Sequence, residues 1–254
     1  MMLEDYLTNR LKSQDILLMT HIVMGYPSFE ESLAIVDAMV SAGVDLMELQ
    51  IPFSEPIADG PVIMQANQGA LANGVTVTRC FDFAETVTQK YDIPFLLMTY
   101  YNIPFKYGVN RFVAKMAAVG LQGTIIADLP AEHGTGYINA MATYQMAPIF
   151  IFTPSTSDER MRYLTSAAEG MIYCVARKGV TGAVTTFSKD LNDYLARCRQ
   201  ATDLPLALGF GVKAKEDIVY LRGKADIAVI GTRMIELIEQ KGISAVEGFI
   251  RGLR

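Results

Sequence analysis

Eight short apolar runs, each followed by an amphipathic helical segment, predict an α/β barrel for this chain. Three observations carry the prediction. The alternation runs at nearly even pitch across 254 residues, with no linker, low-complexity tract or charge block to divide it. Strands separated by helices pair in parallel through right-handed crossovers, and eight such units can close on themselves. The first strand ends in Gly25-Tyr26-Pro27, which is not the glycine-rich phosphate loop expected of an open doubly wound sheet. The expectation is one (β/α)8 TIM barrel over residues 1–254, with an extra N-terminal helix.

That helix spans 2–12, with Leu3, Tyr6, Leu7 and Leu11 on one side. Strand one covers 16–24. Ser28 then caps a helix to 42, Glu31 completes a capping box, and Gly43 stops it. Strand two, 44–51, breaks at Pro52 into an acidic loop. Helices follow at 62–73 and 77–90, then strand three at 94–101 and a helix at 109–119 stopped by Gly120. Strand four is 123–128, ended by Pro130. A helix near 134–144, strand five at 147–152, a helix at 157–168 and strand six at 171–176 continue the pattern. Beyond a loop with Gly179 and Gly182 come helix 189–201, strand 204–208, helix 214–222, strand 226–230, helix 232–241 and a last helix near 243–252.

Just over half the residues are hydrophobic, enough for a large core. The net charge of −5 is spread without a basic block, which argues against nucleic acid and against an anionic membrane surface as partners. Cys80, Cys174 and Cys198 are widely spaced and in no ligand pattern, as in a reducing, cytoplasmic compartment. No signal-peptide core or bilayer-length apolar run is visible. His21 and His133 lack ligand spacing, so no metal site is expected.

The chemistry concentrates in the stretch VDLMELQIPFSEPIADGP, residues 44–61. Glu48 interrupts a buried strand, where an ionised group costs several kcal/mol unless paired or protonated. Strands one to five contain no Lys or Arg to neutralise it. Asp59 follows eleven residues later in a proline-stiffened loop that can fold back over the strand end. One carboxyl is expected dry and the other wet, an arrangement suited to divided acid/base work. A barrel builds its site at the carboxyl ends of its strands. Those ends also carry His21, Tyr100, Tyr101, Asn102, Asp128, Tyr173, Arg177 and Lys178. Asp128 reads first as a cap for the following turn, and Lys178 as a solvated loop charge, with a Schiff-base role as its rival. Glycine clusters close strands six, seven and eight: Gly179-Val180-Thr181-Gly182, Gly209-Phe210-Gly211 and Gly231-Thr232. Three such clusters on adjacent strands let backbone N–H groups approach a phosphate.

Taken together, MELQIPFSEPIADGP, MTYYN, ADLP, GVTGA, GFGV and VIGT resemble the α subunit of tryptophan synthase over nearly the whole chain. The resemblance implies cleavage of indole-3-glycerol phosphate to indole and glyceraldehyde 3-phosphate. It implies no cofactor in this chain and a β-subunit partner in an α2β2 assembly, with pyridoxal phosphate (PLP) in that partner. By position, Glu48 matches the catalytic acid/base and Asp59 the carboxylate that holds the indole N–H, with Tyr173 beside them. Gly182, Gly211, Gly231 and Thr232 match the phosphate-binding backbone, Phe210 an indole-packing aromatic, and Thr181 the loop threonine that closes onto the aspartate. The chain departs from the family pattern at four places. Gln50 stands for a glycine on the same strand face as Glu48, and Glu55 stands for Asp on the loop toward the partner. Thr232 stands for Ser, and His21 stands where an aromatic or apolar residue lines the indole pocket. An alternative of another class is a phosphate-binding regulatory barrel with weak lyase activity, partnering the β subunit.

Overall fold

A computed structural model describes residues 2–176, 189–209 and 211–254. In chain order the elements are α1 (Leu3–Leu11), β1 (Leu17–Val23), α2 (Phe29–Ser41), β2 (Leu46–Gln50), α3 (Pro61–Ala72), α4 (Val77–Lys90), β3 (Phe95–Thr99), α5 (Asn102–Tyr107) and α6 (Val109–Ala118). They continue with β4 (Gly123–Ile126), α7 (Thr135–Thr143), β5 (Ala147–Phe152), α8 (Asp158–Ala167), β6 (Ile172–Val175) and α9 (Lys189–Ala201). The last are β7 (Leu206–Gly209), α10 (Lys215–Leu221), β8 (Ile227–Ile230), α11 (Thr232–Lys241) and α12 (Ser244–Leu253). The strands pair in sequence order, all parallel, and β1 meets β8 from Leu17↔Ile227 to Thr20↔Ile230, which closes the barrel.

Period-two alternation along each strand sorts the core into two layers. Leu18, Ile22, Met47, Leu49 and Leu97 face outward and pack under the helices. Leu17, Met19, Leu46, Leu96, Met98, Ile149, Ile227 and Val229 fill the interior. Leu3 and Leu7, one helical turn apart on α1, join that interior layer, so the extra helix plugs the barrel. Full burial of Leu7 alone stabilises by roughly 2 kcal/mol. The alternation then places the site without further assumption. His21 follows Leu17 and Met19 in phase, Glu48 and Gln50 follow Leu46, and Tyr173 follows Met171.

Two helical pieces were absent from the sequence reading. α5 begins at Asn102, directly after strand three, and tolerates Pro104 because a first-turn residue needs no N–H partner. A 3₁₀ turn at Ala131–His133 follows Pro130. The expected cap of α2 is present, Ser28 accepting from the Glu31 N–H at 3.1 Å. α3 starts one residue earlier than expected, with Pro61 in its first turn. Among the described residues no helix is long and apolar enough to cross a membrane.

Candidate active site

β1 and β2 run in register from Met19↔Leu46, which sets His21 directly opposite Glu48. Their side chains meet inside the barrel, Nδ1 to Oε1 at 3.0 Å, each only 5% exposed. The missing neutraliser of Glu48 is therefore a histidine on the neighbouring strand. Burial lowers the basicity of the His21 ring, but the charge and hydrogen bond of Glu48, with Asp59 behind, outweigh it and raise the pKa above the usual histidine value. His21 Nε2 and Glu48 Oε2 are buried and have no partner among the described residues.

Asp59 corrects an expectation: it is dry, 5% exposed, rather than wetted on an open loop. The loop folds back onto the strand end because polar groups there receive it. Gln50 Nε2 donates to Asp59 Oδ2 at 2.7 Å, so the amide that replaces a small residue on this face holds the second acid. Tyr100 accepts from the Ala58 N–H at 3.1 Å, beside Asp59. The Tyr100 ring stacks on Phe53 with centroids 5.1 Å apart. Burial raises the pKa of Asp59, against the opposing pull of Gln50, His21 and Tyr100.

Asn67 was not picked out from the sequence. Fully buried on α3, it donates to the Ile63 carbonyl at 2.8 Å and accepts from the Phe53 N–H at 2.9 Å, fastening the loop to the helix. A mid-helix Asn is a poor helix former, and that was the available signal.

Tyr173 reaches the same place from β6. Burial, then the charges of Glu48 and Asp59, hold its phenol well above the ordinary tyrosine pKa, so one ring senses both acids. Gly209 on β7 makes room for it, since a Cβ there would lie 3.0 Å from the Tyr173 hydroxyl. Gly231 ends β8 and opens α11, close to His21. Gly211 has φ of +86°, a conformation that favours glycine, and Thr232 begins α11. Phe210, Thr181 and Gly182, together with Arg177, Lys178 and Gly179, lie outside the described residues. Asp128 accepts from the Tyr101 N–H at 2.7 Å, a local turn-fixing role. It also lines a cavity of about 560 Å³ beyond β4 and β5, with Thr153 and Arg160, apart from Glu48 and Asp59. Among the described residues no three His, Cys, Asp or Glu are placed to hold a metal ion.

A closed parallel barrel with two buried carboxyl groups at the carboxyl ends of its strands places the chain in the (β/α)8 class, with its acidic site where such barrels carry theirs. The sequence model of the tryptophan synthase alpha chain family matches residues 7–250. The tryptophan synthase alpha chain of Desulforapulum autotrophicum is 60% identical over 99% of this chain and 100% of its own length. That of Syntrophotalea carbinolica is 58% identical over 100% of both. Among solved structures, Mycobacterium tuberculosis tryptophan synthase superposes with a TM-score of 0.92 at 27% identity, covering 99% of this chain and 96% of that one. The Legionella pneumophila alpha subunit gives 0.89 at 28% identity, covering 100% and 97%. The chain belongs to the tryptophan synthase alpha chain family.

Proposed function

We propose that this chain cleaves indole-3-glycerol phosphate to indole and glyceraldehyde 3-phosphate, with Glu48 and Asp59 as its catalytic pair. The observation that carries the reading is their placement at one strand end: Gln50, two residues from Glu48 on β2, holds Asp59 Oδ2 from its Nε2 at 2.7 Å. The reaction is a retro-aldol step. A proton added to indole C3 makes that carbon tetrahedral and leaves positive charge on the ring nitrogen. Removal of the side-chain hydroxyl proton then breaks the carbon–carbon bond, whose electron pair returns to the ring. Glu48, whose Oε2 has no partner among the described residues, supplies the first proton and takes the second. Asp59 accepts the indole N–H and meets the charge that develops there, an interaction realised mainly in the transition state.

Tyr173 and Phe210 pack the indole. Thr181, Gly182, Gly211, Gly231 and Thr232 enclose the phosphate, which anchors the substrate far from the bond being broken. The open backbone at the start of α11 supports that assignment. Indole passes to a β subunit carrying PLP, in an α2β2 assembly facing the loop that bears Glu55. Ile57 on that loop and Phe105 on α5 are 73% and 66% exposed, an apolar pair suited to burial in such a contact. Three free, buried thiols suit a cytoplasmic location.

The test is indole release by the chain alone and with added β subunit. Glu48→Gln is expected to lower kcat by about 10²–10⁴-fold, with glyceraldehyde 3-phosphate binding unchanged by calorimetry. Near-normal turnover in that variant excludes the role.

A further inference from the structure

A carboxylate held by neither oxygen rotates, and only one of its orientations serves proton transfer to a fixed carbon. Among the described residues Glu48 is held by one oxygen only. The imidazole Nδ1 takes Oε1 at 3.0 Å, while Oε2 is buried with no partner among the described residues. The interior groups around the ring come from several elements. β2 and its loop supply Glu48 and Asp59 with the Gln50 amide, and the end of β8 supplies Gly231, which carries no titratable group. α3 contributes Ile63, and the Tyr173 phenol on β6 faces the two acids. His21 Nε2 has no partner at bonding distance among the described residues, and the Gln50 amide adds a lesser pull on the ring beside the Nδ1 contact to Glu48. An imidazole has a donor and an acceptor nitrogen, and can keep that contact as Glu48 loses and regains its proton. No apolar side chain at position 21 offers this.

We propose that His21 is a positioning residue for the lyase reaction, fixing Glu48 through Oε1 so that Oε2 is the oxygen presented to indole C3 and to the departing hydroxyl. The proposal rests on the lyase reading above. The raised basicity of the ring, owed to the charge and hydrogen bond of Glu48, accords with it.

The chain has two histidines, so imidazole ¹⁵N NMR of histidine-labelled protein observes two rings, and His133→Gln assigns them. His21 is expected to titrate above about 6.5 in the unsubstituted protein and to fall in Glu48→Gln. A His21 titration indifferent to that substitution overturns the proposal. For kinetics, His21→Phe is expected to lower kcat for indole release by about ten- to a hundredfold, with little change in KM. His21→Asn sets an amide nitrogen where Nδ1 stood and should restore most of the kcat plateau. Equal losses in the two variants indicate a merely structural role and overturn the proposal, as does unchanged kcat in His21→Phe. If the unsubstituted chain releases no indole even with β subunit, the lyase reading fails instead, and the NMR titration still decides whether His21 holds Glu48.

Discussion

Gln50 and Asp59 are joined by a 2.7 Å hydrogen bond from Nε2 to Oδ2, and this bond draws an acid from a surface loop into the barrel interior. Replacing Gln50 by Leu keeps the bulk and removes the donor. Asp59 then loses a partner that favours its charged form, and its pKa, already raised by burial, rises further. The acidic limb of kcat/KM for indole release should shift to higher pH, with kcat at pH 6 falling more than kcat at pH 8. An unmoved profile shows that the amide does not govern this acid.

Because the folded-state pKa of Asp59 is raised, its stabilising contribution is present below the unfolded carboxylate value and is lost as pH rises through the folded one. At neutral pH the ionised group therefore weakens the fold. Asp59→Asn should raise Tm at pH 7.5, by about 2–4 °C for each kcal/mol regained, and abolish most activity. Below pH 4 the gain over the unsubstituted protein should vanish. His21 runs parallel in sign, its raised pKa giving stability in acid that fades as pH rises through the folded value. Thermal melts of both proteins across pH 4–9 check this, and a Tm gain independent of pH contradicts the titration account.

Gly231 separates ligand binding from folding. A Cβ there would meet its nearest neighbour, the His21 Cβ, at 3.7 Å, an ordinary contact, while the backbone φ of −103° and ψ of −92° lie outside the main allowed regions for an L-residue. Gly231→Ala should lower Tm by only a few degrees, the effect of about 1 kcal/mol of backbone strain. KM for the phosphate-bearing substrate should nonetheless rise about tenfold, the equivalent of one lost backbone contact to a charged group. Unchanged KM removes Gly231 from the phosphate site.

Asp45 closes the opposite end of the barrel. Its carboxylate, fully buried, accepts from the Leu18 N–H at 2.8 Å and from Arg10 and Arg254 at 2.6 Å each. Both arginines are partly exposed, so their share is screened and the stranded Leu18 N–H carries much of the cost. Asp45→Ala should destabilise by about 2–3 kcal/mol in denaturant melts, and Arg254→Ala by about 1 kcal/mol. Neither should change kcat for indole release, because this end of a barrel contributes stability and not chemistry. A large kcat effect would show that the two ends are coupled.

The sequence was most legible where a single periodicity carried the information. Alternation of apolar runs and amphipathic segments told the barrel, and glycines and prolines marked most element ends. Strand ends were overrun by one or two residues, as with strand two read as 44–51 and folded as Leu46–Gln50. α5 was missed because Pro104 reads as a breaker when its place in the first turn is unknown. Glu48 and Asp59 stood out because charge is costly in an apolar strand and because the loop motif is long and specific.

The chain alone determined which side chains occupy which strand face, since that follows from a two-residue repeat within each strand, and it determined the family. Who sits across from whom was settled by folding. His21 meets Glu48 because β1 and β2 pair in one register, and a shift of one residue would turn either side chain outward. Asp59 became dry because Gln50, Asn67 and Tyr100, distant in sequence, line the path along which its loop returns. Such contacts depend on strand register and loop path, and no local pattern of residues encodes either one.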